Sequence, residues 1–117
     1  MTHTPDSWVI VKIAGTDPHY RVFGGWRGGF DTGDNWRMNS GIVSSSFSSD
    51  IYSFKGFSGS EYLCHKTSYG KLSAYCQSVL DNIVKKGDNT IEVLQDRDDW
   101  TSVDWILARK KNEENSN

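Results

Sequence analysis

The chain has 117 residues, the length of one domain, and a domain of this size can bury roughly two thirds of the surface that its unfolded form exposes. Its formal net charge of -2 argues against a protein whose affinity comes mainly from neutralising nucleic-acid phosphates, because that task requires a basic face. We therefore expect a self-sufficient single domain for which nucleic acid is not the main partner.

The amino-terminal region predicts a cytoplasmic protein that has no membrane partner. Its apolar run, residues 8–14 (WVIVKIA), is too short to cross a bilayer, and no cationic segment precedes it. The two cysteines, Cys64 and Cys76, are too few for the disulfide framework of a small secreted domain. We expect both thiols to be reduced and buried, and a disulfide between them is the alternative.

Two hairpins are predicted from sequences that alternate in polarity. In the first, residues 8–14 and 19–23 are strands of period two, with the turn GTDPH between them. In the second, residues 51–57 and 61–66 are strands joined by the short link SGS. Residues 44–50 (SSSFSSD) are expected to form an exposed connection.

One helix is predicted within residues 70–87. Six apolar residues share one face at the three-and-four spacing of a helix: Leu72, Tyr75, Cys76, Val79, Leu80 and Ile83. Ser68 is expected to cap the first turn, because its hydroxyl can accept from a free backbone amide there. Gly87 is expected in the left-handed position that commonly ends a helix.

The segments after the helix predict two closing strands. Residues 90–95 (TIEVLQ) have the composition of a strand. Residues 101–109 alternate in polarity and favour a last strand, and a helical start within residues 98–105 is the competing interpretation. The tail, residues 110–117, has no apolar side chain and is expected to be disordered.

Together these elements predict an α+β fold with a curved, mainly antiparallel sheet of about six to seven strands and one long amphipathic helix packed on one face. Residues 1–7 are expected to be a flexible N-terminus, and residues 8–109 a single globular domain. With a single helix available, the other part of the sheet must curl over itself or stay open to solvent.

The stretch from Phe23 to Gly41, FGGWRGGFDTGDNWRMNSG, is the main candidate for a functional surface. Its glycines suit tight turns and close backbone packing beneath Trp26. A phosphate-cradling loop is the less favoured interpretation, because the dinucleotide fingerprint needs its last glycine to open a helix and turn formers follow here instead. The single RGGF unit is too short to indicate an RNA-binding repeat.

Aromatic and arginine side chains are concentrated in this stretch, and not all of its rings can be buried in so polar a run. Trp and Arg often anchor protein interfaces, and rings beside guanidinium groups can stack planar ligands. The candidate binding residues are Arg21, Trp26, Arg27, Phe30, Arg37 and Tyr52. We expect Trp36 to belong to the core. For Trp26 with Arg27, burial and exposure on a functional loop both stay open.

Charge is distributed unevenly along the chain. Residues 81–104 contain seven acidic and three basic side chains, whereas residues 19–71 contain six basic and four acidic ones. The acidic run lacks the glycine and the closing glutamate of a calcium-binding loop, so no metal site is assigned. A solvated hairpin or helix cap is the preferred interpretation, and an acidic face that meets a basic partner is the alternative.

Candidates for enzyme chemistry are few. Ser58 and Ser60, with His65 as a general base, could form a small hydrolase or transferase site. However, the sequence GFSGS has neither the spacing nor the strand-to-helix context of a nucleophile elbow. His3 and His19 are assigned to the flexible terminus and to a turn, so the three histidines are not expected to form a metal cluster.

The pattern as a whole favours a small non-enzymatic binding protein of accessory or inhibitor type. In this interpretation the glycine-rich loop engages a protein partner or a planar small ligand, and no cofactor is indicated. A small acidic domain rich in aromatic and glycine residues is similar to accessory proteins of phages and mobile elements. The serine-dependent enzyme and a homo-oligomeric structural subunit are the alternatives.

Overall fold

The computed structural model describes residues 1–28 and 33–105. Its strands form two four-stranded sheets. Sheet I has the order β1-β7-β6-β5 and sheet II the order β4-β3-β2-β8. The strands are β1 (Thr2–His3), β2 (Ser7–Ile13), β3 (His19–Trp26), β4 (Asn35–Met38), β5 (Ile42–Ser48), β6 (Ile51–Gly56), β7 (Glu61–His65) and β8 (Ile91–Val93). The helix α1 spans Ala74–Lys86, and 3-10 turns span Lys66–Ser68 and Trp100–Ser102.

The α+β class is confirmed, but the expected single curved sheet is wrong, because the strands divide into two sheets. The reason lies in β2, where residues 7–11 are buried without interruption. Trp8 and Ile10 face one core, whereas Val9 and Val11 face another. A strand that is apolar on both faces needs cover on both sides, and sheet I and α1 provide it.

The first core lies between the two sheets and is built around Trp8. The side chain of Trp8 is fully buried, and its ring contacts those of Tyr52, Phe54, Tyr69 and Trp100. Its indole Nε1 donates to the backbone oxygen of His65 at 2.7 Å, which satisfies the polar atom that burial of a tryptophan introduces.

The second core lies between sheet II and α1. Cys76 and Leu80 are the buried side chains of the helix, and they pack against the β2 and β3 strands. The helix begins after Ser73, whose hydroxyl accepts from the Cys76 amide at 3.2 Å. The expected cap, Ser68, lies instead in the preceding 3-10 turn. The spacing predicts Tyr75 in the apolar stripe, but its side chain is about half exposed.

The helix ends differently from the expectation. Gly87 has a φ of -71°, and the left-handed residues are Asp88 and Asn89. The glycine is needed for close packing, since a Cβ on Gly87 would lie 2.7 Å from Cγ1 of Ile91. Because Gly87 has no Cβ, Ile91 at the start of β8 can pack close to the end of the helix.

The serine-rich segment predicted to be an exposed connection is instead part of a strand. Residues 42–48 form β5, which pairs antiparallel with β6. Ser49 and Asp50 join the two strands, and both have positive φ, which is typical of the two-residue turns that connect twisted hairpins. Backbone pairing with β6 outweighs the weak strand propensity of serine here.

Both ends of the chain contribute more to the fold than its local sequence indicates. At the amino terminus, where a flexible segment is expected, β1 pairs in parallel with β7. Near the other end, Trp100 and Trp105 are buried in the first core, Trp100 within a 3-10 turn. The predicted strand over residues 101–109 is not formed over residues 101–105, and its remainder lies outside the described residues, as does the tail.

The remaining expectations concern the thiols and the membrane. Cys64 and Cys76 are free and buried, as expected, and they belong to different cores. Within residues 1–28 and 33–105, the structure contains no helix with the length and apolar character needed to span a membrane.

Candidate binding groove between the two sheets

Two adjoining pockets form an open groove where β1 of sheet I lies near β4 of sheet II. The Trp26 pocket has a volume of about 510 Å³, and its walls include Thr2, Trp26 and Asn35. The serine pocket has a volume of about 400 Å³, and its walls include Arg21, Ser40, Ser58, Ser60 and Tyr62. His3 and Arg37 line both pockets, so the two are parts of one groove.

Strand β4 directs Arg37 into the groove. Trp36 and Met38 are half-buried against the second core, while Arg37 lies on the opposite face and is exposed. Its neighbour on β3 is Gly24. A Cβ on Gly24 would lie 2.9 Å from Cβ of Pro5, so the glycine allows the amino-terminal segment to cross the strand closely.

Strand β1 brings His3 to the same place. His3 is paired with Tyr62 of β7, and their ring centroids lie 4.9 Å apart. Burial lowers the pKa of His3, and the nearby Arg37 guanidinium lowers it further. Burial raises the pKa of Tyr62, and Arg37 partly opposes that change. The guanidinium of Arg37 therefore acts electrostatically on both rings.

Trp26 and Arg27, whose exposure the sequence left open, have different positions. Trp26 is half-buried at the end of β3, and its Nε1 donates to the Thr4 backbone oxygen at 2.9 Å. It forms a wall of the groove. Arg27 is exposed but lines neither pocket, and its Nη2 donates to the Lys71 backbone oxygen at 3.1 Å.

The charged side chains of the groove are two arginines and Asp34, which lines the Trp26 pocket and accepts from the Gly28 amide at 3.3 Å. Arg21 is half-buried, and its Nε donates to Nε2 of His19 at 2.9 Å. Among the residues that the structure describes, the one salt bridge joins Lys66 to Asp50, so neither Arg21 nor Arg37 is neutralised by an acidic side chain there. Guanidinium groups without an acidic partner attract anionic groups of a ligand.

Three serine hydroxyls form a hydrogen-bonded chain in the serine pocket. The Oγ of Ser40 donates to the Oγ of Ser58 at 3.3 Å and accepts from the Ser58 amide at 3.1 Å. The Oγ atoms of Ser58 and Ser60 lie 3.1 Å apart. The chain of hydroxyls links the end of β4 to the β6–β7 turn in the lining of the pocket.

Asn39 lies beside this chain and is 3% exposed. Its Oδ1 accepts from the Val22 amide at 2.9 Å. Its Nδ2 is buried and has no hydrogen-bond partner in the part of the chain that the structure describes. A buried donor without a partner is uncommon in native proteins, because the lost hydration is not replaced.

Among the predicted binding residues that the structure describes, Arg27 and Tyr52 do not line the groove. Tyr52 is 5% exposed, its ring packs in the first core, and its hydroxyl donates to the Asp98 backbone oxygen at 3.2 Å. Alternate residues of β6 point into that core, which is why a tyrosine at this position is enclosed. Phe30 lies outside the described residues.

The alternative catalytic set is not assembled. Ser60 precedes β7 and His65 ends it, and a five-residue strand spans about 16 Å. The Nδ1 of His65 accepts from the Thr67 amide at 3.2 Å. No histidine among the described residues hydrogen-bonds to Ser58 or Ser60, so His65 does not contact either hydroxyl as the proposed catalytic set requires.

The acidic run near the end of the chain serves local structure. Asp99 accepts from the Thr101 amide at 2.8 Å at the start of a 3-10 turn, and hydrogen bonds from Thr101 lower the pKa of its carboxyl group. Asp96 accepts from Nε1 of Trp100 at 3.2 Å. These hydrogen bonds satisfy donors at the 3-10 turn Trp100–Ser102, as a helix cap does. No group of three potential metal ligands occurs within residues 1–28 and 33–105.

The sequence interpretation missed His3, Asn39 and Ser40 as groove residues. No local signal identifies His3, since its position depends on pairing with a strand about sixty residues later. The NSG sequence after β4 was a usable signal, because Asn and Ser at a strand end often present polar groups at a bend. Comparison of the chain with family models, curated proteins and solved structures gives no significant match.

Proposed function

We propose that this chain is a small non-enzymatic binding protein that engages a protein partner in the groove between β1 and β4. The observation that carries the proposal is the position of Arg37. Its guanidinium is exposed, lines both pockets and has no acidic partner among the described residues. A cation held in the middle of a groove supports recognition of an acidic segment.

The shape of the groove favours an extended segment over a planar small ligand. The ring planes of His3 and Trp26 are inclined by 75°, and those of His3 and Tyr62 by 46°. Neither pair offers two parallel faces between which a flat ligand could stack. The two pockets together are long and open, and β1 and β4 are outer strands of their sheets. Such edges accept extended peptide segments.

Trp26 supplies the apolar part of the proposed site. Its indole is fixed by the hydrogen bond to Thr4, so little conformational freedom is lost when a partner covers it. Tryptophan and arginine are the residue types that most often dominate interface energies. Trp26 and Arg37 therefore form an anchor pair, with one apolar and one charged contact.

The test is native mass spectrometry of the protein purified gently from its source cells. We expect a retained protein mass that is lost in Arg37→Ala. The matched control is Lys55→Ala, which removes an exposed cation from the outer face of sheet I. Both variants should keep the melting temperature of the wild type, because both side chains are exposed.

Other masses would change the assignment. Equal retention of the partner in Arg37→Ala and the wild type would place the partner elsewhere and contradict the proposal.

A small-molecule mass would assign the groove to a low-molecular-weight ligand. An integral multiple of the chain mass would indicate a homo-oligomer. A bare monomer that forms an adduct at Ser58 or Ser60 with a serine-reactive phosphonate would favour the enzyme.

A further inference from the structure

The serine pocket is cationic and rich in hydrogen-bond donors. Arg21 and Arg37 line it, and none of its described lining residues is Asp or Glu. Arg21 uses its Nε on His19, and no contact within the described residues occupies its terminal nitrogens. The pocket therefore contains guanidinium donors that are not used within the fold.

One serine hydroxyl of the pocket also has a hydrogen that is not used within the described residues. The two contacts that join Ser40, Ser58 and Ser60 through their hydroxyl oxygens use two of the three hydroxyl hydrogens. Whichever direction the second contact runs, one hydrogen on Ser58 or Ser60 is left without a partner among the described residues. Because Ser58 accepts from Ser40, its own hydroxyl is polarised, which strengthens donation to a further group.

The buried amide of Asn39 lies next to the start of this chain of hydroxyls. A Cβ on Gly56 would lie 3.0 Å from the Oγ of Ser40 and 3.3 Å from the Nδ2 of Asn39, so both groups border the same small space. The Nδ2 has no partner among the described residues although the side chain is almost fully buried. A ligand oxygen in the pocket would supply the missing acceptor.

We propose that the serine pocket binds an oxyanion, a phosphate or a carboxylate group, through Arg37, Arg21, the free serine hydroxyl and the Asn39 amide. Every one of these groups donates, and oxyanions are ligands that only accept. The inference rests on the proposed function, since it names the chemistry that the groove recognises in its ligand. A phosphate or carboxylate side chain of a bound segment and a free anion share this chemistry.

The test is a nuclear magnetic resonance titration of the isotope-labelled full chain with inorganic phosphate, with sodium acetate, and with sodium chloride at matched ionic strength. We expect saturable shifts of the Asn39 side-chain amide and of the Ser58 and Ser60 backbone amides with at least one oxyanion. The phosphate and acetate arms identify which class of oxyanion is preferred. Shifts that are no larger than those in chloride would overturn the proposal.

Variants connect the shifts to the pocket. Ser60→Ala should weaken the binding of the preferred anion about fivefold, the effect of one hydrogen bond, and Arg37→Lys should weaken it by more, because the planar fork is lost. The control is Ser46→Ala, an exposed serine of β5 away from the pocket. Unchanged affinity in both Ser60→Ala and Arg37→Lys would also overturn the proposal.

The titration separates this inference from the proposed function. Anion binding is measured on the isolated protein and needs no partner, whereas retention of a partner is measured by mass. If the Ser60→Ala protein retains its partner and neither oxyanion binds, the groove is a protein-binding site without an oxyanion subsite. If an oxyanion binds and no partner is retained, the anion site stands and the protein-binding proposal fails.

Discussion

Tyr69 shows how the hydroxyl of one half-buried side chain can join separate segments. Its oxygen accepts from the Ile10 amide at 3.1 Å and donates to the backbone oxygen of Leu94. The Leu94 amide in turn donates to the Ile10 oxygen at 2.9 Å. The hydroxyl therefore completes the pairing of β2 with the chain just beyond β8. Burial raises the pKa of Tyr69 to about 12.

Replacing Tyr69 with Phe should lower the free energy of unfolding by about 1–3 kcal/mol at neutral pH, because the Ile10 amide and the Leu94 oxygen lose their partner. The raised pKa adds a pH dependence. Between pH 10 and 12 the folded protein keeps a proton that the unfolded chain has lost, so stability falls as pH rises through this window. In the Tyr69→Phe variant, the part of this pH-dependent loss of stability that comes from Tyr69 should be absent.

Urea denaturation of the wild type and Tyr69→Phe at pH 8 and pH 11 measures both effects. The comparison with the variant is needed because the pKa of Tyr62 is also raised and contributes to the slope in both proteins. An identical loss of stability between the two pH values in wild type and variant would show that Tyr69 does not titrate as described.

At the scale of elements, the end of α1 combines a close contact with a strained turn. Gly87→Ala should lower the free energy of unfolding by about 1–3 kcal/mol, because the new Cβ would lie within 3 Å of two side-chain carbons of Ile91. Asp88→Gly should raise it by about 0.5–1 kcal/mol, since Asp88 has a φ of 49°.

Thermal or urea denaturation of the two variants checks the signs. The two substitutions concern adjacent residues, so each serves as a control for general effects of altering this turn. If Gly87→Ala were as stable as the wild type, Ile91 would be able to move aside, and the close approach of α1 to β8 would not require glycine.

Elements with a strong periodic signal were predictable. The apolar stripe locates α1 to within a few residues, and alternation locates both hairpins. Strand β5 was not predictable from propensity, because its serines carry little strand preference and its formation depends on pairing with β6. The two-sheet arrangement was visible in principle, since both faces of β2 are apolar.

The candidate site was predictable only in part, for a reason that belongs to the whole molecule. Arg21, Trp26 and Arg37 come from one stretch of sequence, and their residue types indicated recognition. His3 and the Ser58–Ser60 turn reach the groove only because β1 pairs with β7 and the two sheets pack face to face. Such long-range placement leaves no local pattern.

The two cores share sheet II, so the molecule should unfold as one unit. Leu80→Ala removes a buried side chain from the second core and should cost about 2–5 kcal/mol. We expect helical circular dichroism and tryptophan fluorescence to give coincident transitions. The fluorescence is measured in a Trp36→Phe background, because Trp36 packs against the second core whereas Trp8 and Trp100 report on the first.

The matched control is Ser78→Ala, an exposed position of the same helix, which should change stability little. Separate transitions for the two signals in Leu80→Ala would contradict the shared-sheet description. In that case α1 would detach from sheet II while the contact between the sheets remained.

The pairing of β1 with β7 has a consequence for when the groove exists. Thr2 pairs with Glu61, so this pairing closes a loop that contains all the chain between them. Closing the loop has an entropic cost, which the contacts formed by the intervening strands must offset. During synthesis, the groove wall that contains His3 can form only after β7 has been made. A ligand that needs this wall therefore binds only after β7 has paired with β1. By thermodynamic linkage, such a ligand raises the stability of the folded protein in proportion to the logarithm of its concentration when it is in excess.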